Sequence, residues 1–103
     1  MVETKSASTR RIDQWLWFAR LFKSRTAAAH YCSAGRMRVN AASIAKASHA
    51  IKEGDVLTFV VGGRLRVVRI RGLGTRRGPA AEAAAMYQEI APAAPDAPAR
   101  NKE

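Results

Sequence analysis

The chain has one cysteine, two histidines and eight acidic residues, so the side chains that most often catalyse reactions or bind metals are scarce. The lone cysteine, Cys32, cannot form a disulfide within the chain. His30 and His49 do not combine with Cys32 in a recognised zinc spacing, and a tetrahedral site would need a further ligand. We therefore predict no catalytic residue, no metal site, no cofactor and no enzymatic activity. Asp13 is expected to orient a neighbouring arginine rather than to perform acid–base chemistry.

Long apolar runs are also missing. No stretch approaches the roughly 18 apolar residues that a transmembrane helix needs. Residues 1–9 are polar and lack the apolar run of a secretory signal. The chain has no long basic amphipathic helix with a wide apolar face, which argues against a membrane surface as its partner. We therefore expect a cytoplasmic protein that does not bind membranes.

Positive charge is present in excess. Lysine and arginine total 18 of 103 residues, and the formal net charge is +10. An excess of this size in a small domain indicates a polyanionic partner, and nucleic acid is the first candidate. The apolar fraction of 48% is sufficient for one packed domain.

The first part of the chain predicts two helices. Ile12, Leu16 and Ala19 recur at helical spacing, which indicates a helix over residues 12–22. We expect its two tryptophans to pack in the core, and stacking of an exposed Trp17 on a base is the alternative.

A second helix is predicted over residues 25–34. Ser24 is placed to cap its start, and Gly35 is placed to end it in the left-handed conformation. Cys32 falls on the stripe of this helix that should be buried, so we interpret it as a small core residue.

Strand patterns follow the helices. Residues 36–40 alternate, so Met37 and Val39 should face the core while Arg36, Arg38 and Asn40 face outward. Residues 56–61 and 64–71 predict two strands joined by a glycine turn. The second strand contains four arginines, of which two precede Val67-Val68 and two follow it, and strand alternation places the two pairs on opposite faces. A β-bulge there would return all four to one face, and the alternative is a strand half exposed on both faces.

The last third predicts a basic glycine-rich loop and a helix. Residues 72–78 form the loop, and Pro79 suits the first turn of a helix that runs to about residue 90. Four residues of this helix are expected to pack on the domain: Ala83, Met86, Tyr87 and Ile90. The Ala- and Pro-rich residues 91–103 are expected to be disordered, as are residues 1–9.

The run from Arg11 to Asp55 resembles the S4 RNA-binding domain. The resemblance depends on a long pattern with fixed gaps, which comprises Arg11-Ile12-Asp13, Leu16, Arg20, Ser24-Arg25, Ala28, Gly35, Val39-Asn40, Lys46, Ser48, Ile51 and Gly54-Asp55. It implies an α+β fold of the alpha-L type, in which two N-terminal helices pack on a small, mostly antiparallel sheet. We place this domain at residues 10–72, followed at 73–90 by the basic loop and a C-terminal helix.

A narrower resemblance connects the chain with the heat shock protein 15 family. It is carried by Leu16-Trp17-Phe18-Ala19-Arg20, Arg76-Arg77-Gly78-Pro79-Ala80, Glu82-Ala83 and Tyr87. It implies a stand-alone domain that binds ribosomal RNA on free large ribosomal subunits still carrying a nascent chain on tRNA. Two features depart from the pattern: Ala41 stands where the S4 domain usually has glycine, and the basic C-terminal extension of the family is absent.

These resemblances imply a non-enzymatic binder of structured ribosomal RNA on the large subunit, which acts in rescue and recycling of stalled subunits carrying nascent-chain tRNA. A general RNA- or DNA-binding module without ribosome specificity is the alternative. We expect a monomer. The predicted RNA-binding residues are Arg10, Arg11, Arg20, Lys23, Ser24, Arg25, Arg36, Arg38, Asn40, Lys46, Arg76 and Arg77.

Two groups within this set carry specific expectations. Arg20, Ser24 and Arg25 are expected to border one anion pocket between the helices, and the alternative is that Arg20 only pairs with Asp13. Arg76 and Arg77 are expected to form a weaker second contact, because ordering a flexible loop has an entropy cost. Seven cations are expected to share one face: Arg11, Arg20, Lys23, Arg25, Arg36, Arg38 and Lys46.

Overall fold

The computed structural model describes residues 8–90. In this range the chain forms three helices, a five-stranded sheet and a two-stranded sheet, and all strand pairings are antiparallel. The α+β prediction is therefore confirmed at this level. The predicted disordered tail at 91–103, and the predicted disordered start apart from Ser8 and Thr9, lie outside the described residues. No helix within 8–90 is long and apolar enough to cross a membrane.

The first helix, α1 (Ile12–Phe18), is shorter than the predicted 12–22. It ends because Ala19 closes its last turn and Arg20 adopts a positive φ of 59°, which a right-handed helix does not accommodate. Its apolar face is buried as predicted, and Trp15 is completely inaccessible to solvent. Trp17 is half-buried and packs against the core.

The second helix, α2 (Arg25–Ser33), begins and ends as the local chemistry predicts. The hydroxyl of Ser24 accepts a hydrogen bond from the Ala27 amide at 3.0 Å, and Gly35 has a φ of 78°. Cys32 is fully buried, as predicted. Burial, with a smaller effect from the charge of Asp13, raises the pKa of the Cys32 thiol to about 12. The thiol is therefore protonated at neutral pH and acts as a packing group.

Five strands form the larger sheet: β2 (Met37–Val39), β3 (Ala42–Ile44), β5 (Val56–Val61), β6 (Arg64–Ile70) and β7 (Tyr87–Glu89). Their order in the sheet is β3-β2-β5-β6-β7. Two short strands, β1 (Arg10–Arg11) and β4 (Ala50–Ile51), pair separately. The last helix is α3 (Ala80–Ala84). Buried residues of α1, α2 and the larger sheet form one core cluster.

The β5–β6 hairpin has a regular register from Val56 opposite Arg69 to Val61 opposite Arg64. The glycine turn is confirmed, because Gly62 and Gly63 both have positive φ, at 60° and 77°. Of the two possibilities for Val67-Val68, the β-bulge does not form, since the strand pairing continues through these residues without an extra residue. The arginines of β6 therefore lie on both faces of the strand, as the alternative states.

The C-terminal segment differs from the predicted helix to residue 90. Its helix ends at Ala84, and β7 then pairs with the outer edge of β6. This pairing satisfies backbone groups at the edge: the Ile90 amide donates to the Val67 carbonyl at 2.7 Å. Arg66 also binds both carboxylate oxygens of Glu89, at 2.8 and 2.6 Å. Of the residues expected to pack, Ala83 and Met86 are buried, while Tyr87 packs partly buried against the core.

The turn from β2 to β3 forms although alanine occupies a position that favours glycine. Asn40 has a φ of 53° and Ala41 a φ of 74°. An L-residue in this conformation brings its Cβ close to backbone atoms, at a cost of roughly 1 kcal/mol. The departure from the family pattern at Ala41 therefore strains the turn but does not abolish it.

We predict that Ala41→Gly stabilises the protein by about 1 kcal/mol, because glycine removes the steric cost of the positive φ. Urea unfolding followed by tryptophan fluorescence measures the change. Ala42→Gly is the matched control: Ala42 lies in β3, where glycine should destabilise instead. A loss of stability in Ala41→Gly would show that the turn is not strained.

Candidate nucleic-acid interface

A buried carboxylate at the start of α1 holds two arginines. Asp13 is only 3% exposed, and Arg11 donates to both of its carboxylate oxygens at 3.1 Å. Arg25, at the start of α2, places its Nε 3.7 Å from Oδ2. The Arg11 and Arg25 side chains remain 51% and 44% exposed. We call Arg11, Asp13 and Arg25 the Asp13 cluster; it presents two guanidinium groups, from two different elements, to solvent.

The role predicted for Asp13, orientation of a neighbouring arginine, is confirmed. Its partners are Arg11 and Arg25, so the alternative that Arg20 pairs with Asp13 is wrong. The reason is the early end of α1: Arg20 lies beyond the helix, in the left-handed region, and no longer shares a helical face with Asp13.

The turn that carries Lys46 lies beside the Asp13 cluster. The amide of Asp13 donates to the Ala47 carbonyl at 3.3 Å, and the amide of Ile12 donates to the His49 carbonyl at 2.9 Å. These two bonds attach the segment between β3 and β4 to the first turn of α1. Residues far apart in the sequence are thereby brought to the same end of the helix.

Side chains near α1 also hold the glycine-rich loop at residues 72–78. The indole of Trp15 donates to the Gly72 carbonyl at 2.7 Å. Arg10 donates to the carbonyls of Leu73 and Gly74, and its guanidinium lies 5.1 Å from the centre of the Phe18 ring. Arg20 donates through Nε to the Gly78 carbonyl at 2.7 Å. We call these contacts of Arg10, Trp15 and Arg20 the loop clasp.

The loop clasp changes the interpretation of several predicted binding residues. Four side-chain hydrogen bonds hold the carbonyls of the loop, although the sequence predicts a flexible loop. Three N–H groups of Arg10 are engaged within the protein, which ties this residue to the fold.

Among residues 8–90, no hydrogen bond or ion pair joins Arg20 to Ser24 or Arg25. The anion pocket of these three residues therefore remains a prediction.

The two arginines of the loop also have partners. Arg76 is exposed and binds both carboxylate oxygens of Glu82, at 3.3 and 2.8 Å. Arg77 donates to the Trp17 carbonyl at 3.1 Å, and its guanidinium lies 5.4 Å from the centre of the Trp17 ring. Because Arg77 covers Trp17, the structure favours a packing role for this tryptophan over stacking on a base.

Asn40 connects its turn to the start of β5. Its side chain donates to the Asp55 carboxylate at 3.1 Å and accepts from the Val56 amide at 2.9 Å. Asp55 is 6% exposed and also accepts from the amide and ammonium of Lys52. Burial raises the pKa of Asp55, but hydrogen bonds from Asn40 and Lys52, together with the charge of Lys52, outweigh it and lower that pKa below its ordinary value. The Asp55 amide donates to the Lys52 carbonyl at 3.1 Å and closes this turn, and Asn40 has a structural role at this site.

Arg36, which directly precedes β2, and Arg38, within it, border an open groove. Arg36 and Arg38 are exposed as predicted, and their groove is also lined by Tyr31, Gly35, Ser43 and Val60. We call this the strand groove. The sequence pattern does not identify Tyr31, Ser43 or Val60 as site residues. Alternation along β5 places Val60 on the face opposite to the buried Leu57 and Phe59. Five of the six residues in that strand are apolar, however, so the sequence does not show which face is exposed.

The remaining predicted cation is Lys23, which is exposed and precedes the Ser24 cap. Within residues 8–90, Lys23, Arg36, Arg38 and Lys46 make no ion pair with a carboxylate. In the same range, no three His, Cys, Asp or Glu side chains are arranged to hold a metal ion.

Comparison with known proteins bears on the region that contains most of these residues. Residues 10–57 match the family model described as the S4 domain. Heat shock protein 15 of Escherichia coli (strain K12) is 33% identical over 90 residues, which cover 87% of this chain and 67% of that protein. The RQC P-site tRNA stabilizing factor of Halalkalibacterium halodurans is 43% identical over 60 residues, or 58% of this chain and 67% of that protein.

A solved structure gives the same result. Heat shock protein 15 of Vibrio cholerae, described as trimeric, matches with a TM-score of 0.76 and 30% sequence identity. The match covers 82% of this chain and 85% of that one. The two resemblances found in the sequence are therefore confirmed. Among the predicted binding residues, all except Arg76 and Arg77 fall within the residues that match the S4 domain.

We predict that Asp13→Asn weakens RNA binding although it makes the protein more positive. The neutral amide no longer holds two guanidinium groups, so Arg11 and Arg25 lose their common position. Loss of these charged hydrogen bonds should also destabilise the fold by about 1–3 kcal/mol. Fluorescence anisotropy with a structured RNA and urea unfolding measure the two effects. Glu53→Gln, an exposed residue with the same change of charge, is the control and should bind at least as well as the parent. Equal or tighter binding by Asp13→Asn would contradict the role of the Asp13 cluster.

We predict that Asp55→Asn destabilises the protein at neutral pH by about 1–3 kcal/mol. Because the folded-state pKa of Asp55 is lowered, its stabilising contribution is present above the unfolded pKa of ~3.9 and is lost as the pH falls through the folded value. The difference in unfolding free energy between parent and variant should therefore decrease below about pH 4. Urea unfolding at pH 7 and in acid measures it, and a difference independent of pH would contradict the assignment.

Proposed function

The chain belongs to the S4 domain family, and on that basis we propose that it binds structured ribosomal RNA on the large ribosomal subunit. This binding would act in the rescue and recycling of stalled subunits that carry a nascent chain on tRNA, and it requires no catalysis by the protein. The names of the relatives support the proposal, since one relative is named as a factor that stabilises P-site tRNA. The observation that carries it is the Asp13 cluster, which lies within the residues that match the family.

Binding in this proposal depends on guanidinium groups that meet phosphates. Hydrogen bonds between charged partners are shorter and stronger than neutral ones, and a guanidinium matches the oxygens of a phosphate in geometry. Asp13 positions Arg11 and Arg25 before RNA arrives, which lowers the entropy lost on binding. Double-stranded regions of RNA are recognised mainly through their shape, their phosphates and their 2′-hydroxyl groups.

Lys46, Arg36 and Arg38 extend the basic surface in this proposal. The Lys46 turn is attached to the helix that carries the Asp13 cluster, and Arg36 and Arg38 follow directly after α2. We propose that the chain acts as a monomer in the cytoplasm. The solved relative is described as trimeric, and sedimentation of the purified chain distinguishes a monomer from a trimer.

The first test is sedimentation of one lysate, which separates free large subunits, small subunits and assembled ribosomes and shows which of them carries the protein. The second test measures the affinity of the protein for the purified large subunit at several salt concentrations. We predict association with free large subunits and, for about five phosphate contacts, a slope of log affinity against log salt of roughly −3.5 to −4.5. Arg25→Ala should flatten the slope by about one unit. Arg71→Ala is the matched control, because it removes the same charge outside the residues that match the family.

Equal binding to structured RNA and duplex DNA, without enrichment on large subunits, would favour the alternative of a general nucleic-acid-binding module. A slope near zero would show that charge is not the main attraction. A larger effect of Arg71→Ala than of Arg25→Ala would move the binding surface away from the Asp13 cluster.

A further inference from the structure

The strand groove combines charge with apolar surface, which distinguishes it from the Asp13 cluster. Its volume is about 430 Å³, within the range of roughly 300–1,000 Å³ that is usual for small-molecule sites. Arg36 and Arg38 lie at its border, and Val60 contributes an apolar side chain that is 46% exposed. Isolated exposed valines are common; Val60 is notable because it lies beside two arginines and a tyrosine in one concave surface.

The walls of the groove are held in place by contacts already present in the protein. The hydroxyl of Tyr31 accepts a hydrogen bond from the Val60 amide at 2.8 Å, which attaches α2 to β5 across the groove. The ring of Tyr31 packs against that of Phe22, with 5.5 Å between their centres. Ser43 lies directly opposite Arg38 in the β2–β3 ladder and brings a hydroxyl to the same surface.

Within residues 8–90, the two arginines of the groove lack the carboxylate partner that four other arginines have. Arg11, Arg25, Arg66 and Arg76 each lie within 4 Å of a carboxylate. For Arg36 and Arg38, the part of the chain that the structure describes supplies none. Two uncompensated positive charges beside an apolar surface are complementary to a ligand that joins an anionic group to a flat apolar one.

The geometry points to an unpaired nucleotide of the RNA as the occupant of the strand groove. Its phosphate would bind Arg36 and Arg38, its base would contact Val60 and the Tyr31 ring, and Ser43 would meet a polar edge. This inference rests on the proposed function and deepens it: the bound RNA carries a bulged or looped nucleotide next to a helix. A base within a duplex is stacked and cannot enter such a groove, whereas unpaired bases are available for contact with side chains.

The test compares two RNA hairpins that differ by a single bulged uridine, in one buffer, by fluorescence anisotropy. The parent protein should bind the bulged hairpin about fivefold more tightly than the paired one, as expected for one base contact. Val60→Ser should remove this preference. Leu65→Ser is the matched control: Leu65 is the cross-strand partner of Val60 and is 51% exposed, but it lies outside the groove lining and its loss should leave the preference intact.

A second measurement needs no variant. A 4-thiouridine at the bulge should crosslink, on irradiation, to a peptide that contains Tyr31, Arg36, Arg38 or Val60, as identified by mass spectrometry. Equal affinity for the two hairpins, or a crosslink elsewhere, would overturn the groove assignment while leaving the proposed function in place. Failure of the parent to bind either hairpin would also overturn the groove assignment, whereas the proposed function is decided separately by sedimentation with free large subunits.

Discussion

Asp13 is buried at the first turn of α1, where loss of water would destabilise its charge without compensation. The Gln14 amide and two arginines supply that compensation, and the Asp13 amide simultaneously holds the Ala47 carbonyl. One acidic residue thus connects α1, α2 and the turn that follows β3. The same contacts that satisfy a buried carboxylate place guanidinium groups at the surface, so the fold and the basic surface depend on each other.

Some arginines of this protein hold its own backbone, and others remain exposed without a carboxylate partner. Some bind backbone carbonyls inside the molecule: Arg10, Arg20 and Arg77 connect α1 with the loop at 72–78. Carbonyls in a loop without regular pairing need donors, and the long guanidinium side chain supplies several in a fixed plane. A net charge of +10 therefore overstates the number of cations free to meet phosphates. The cations with no carboxylate partner within 8–90 include Arg36 and Arg38, which the fold leaves exposed.

The loop clasp also explains how the C-terminal segment reaches the sheet. It holds residues 72–78 against α1, and α3 then leads the chain back so that β7 covers the edge of β6. An uncovered edge would present unpaired backbone groups to other chains. The basic loop accordingly serves the fold, and its two arginines contact groups within the protein: Arg76 binds Glu82, and Arg77 binds the Trp17 carbonyl.

The sequence by itself determined the features that depend on neighbouring residues. The Ser24 cap, the left-handed Gly35, the alternation at Met37 to Val39 and the glycine turn between β5 and β6 all follow from local backbone and side-chain preferences. The family, too, could be identified from the sequence, because its motif spacing is preserved from Arg11 to Asp55.

Only the tertiary structure decided the end of α1, the conversion of residues 87–89 into a strand and the partners of the arginines. Each depends on contacts between residues distant in sequence: Trp15 with Gly72, Arg20 with Gly78, and β6 with β7. Helical periodicity continues past Phe18 in the sequence. In the structure, however, Arg20 adopts a positive φ that ends the helix, and in this conformation its side chain binds the Gly78 carbonyl. Local sequence patterns specify which secondary structure a segment favours. Contacts between distant segments decide which backbone and charged groups find partners inside the protein and which remain available to a ligand.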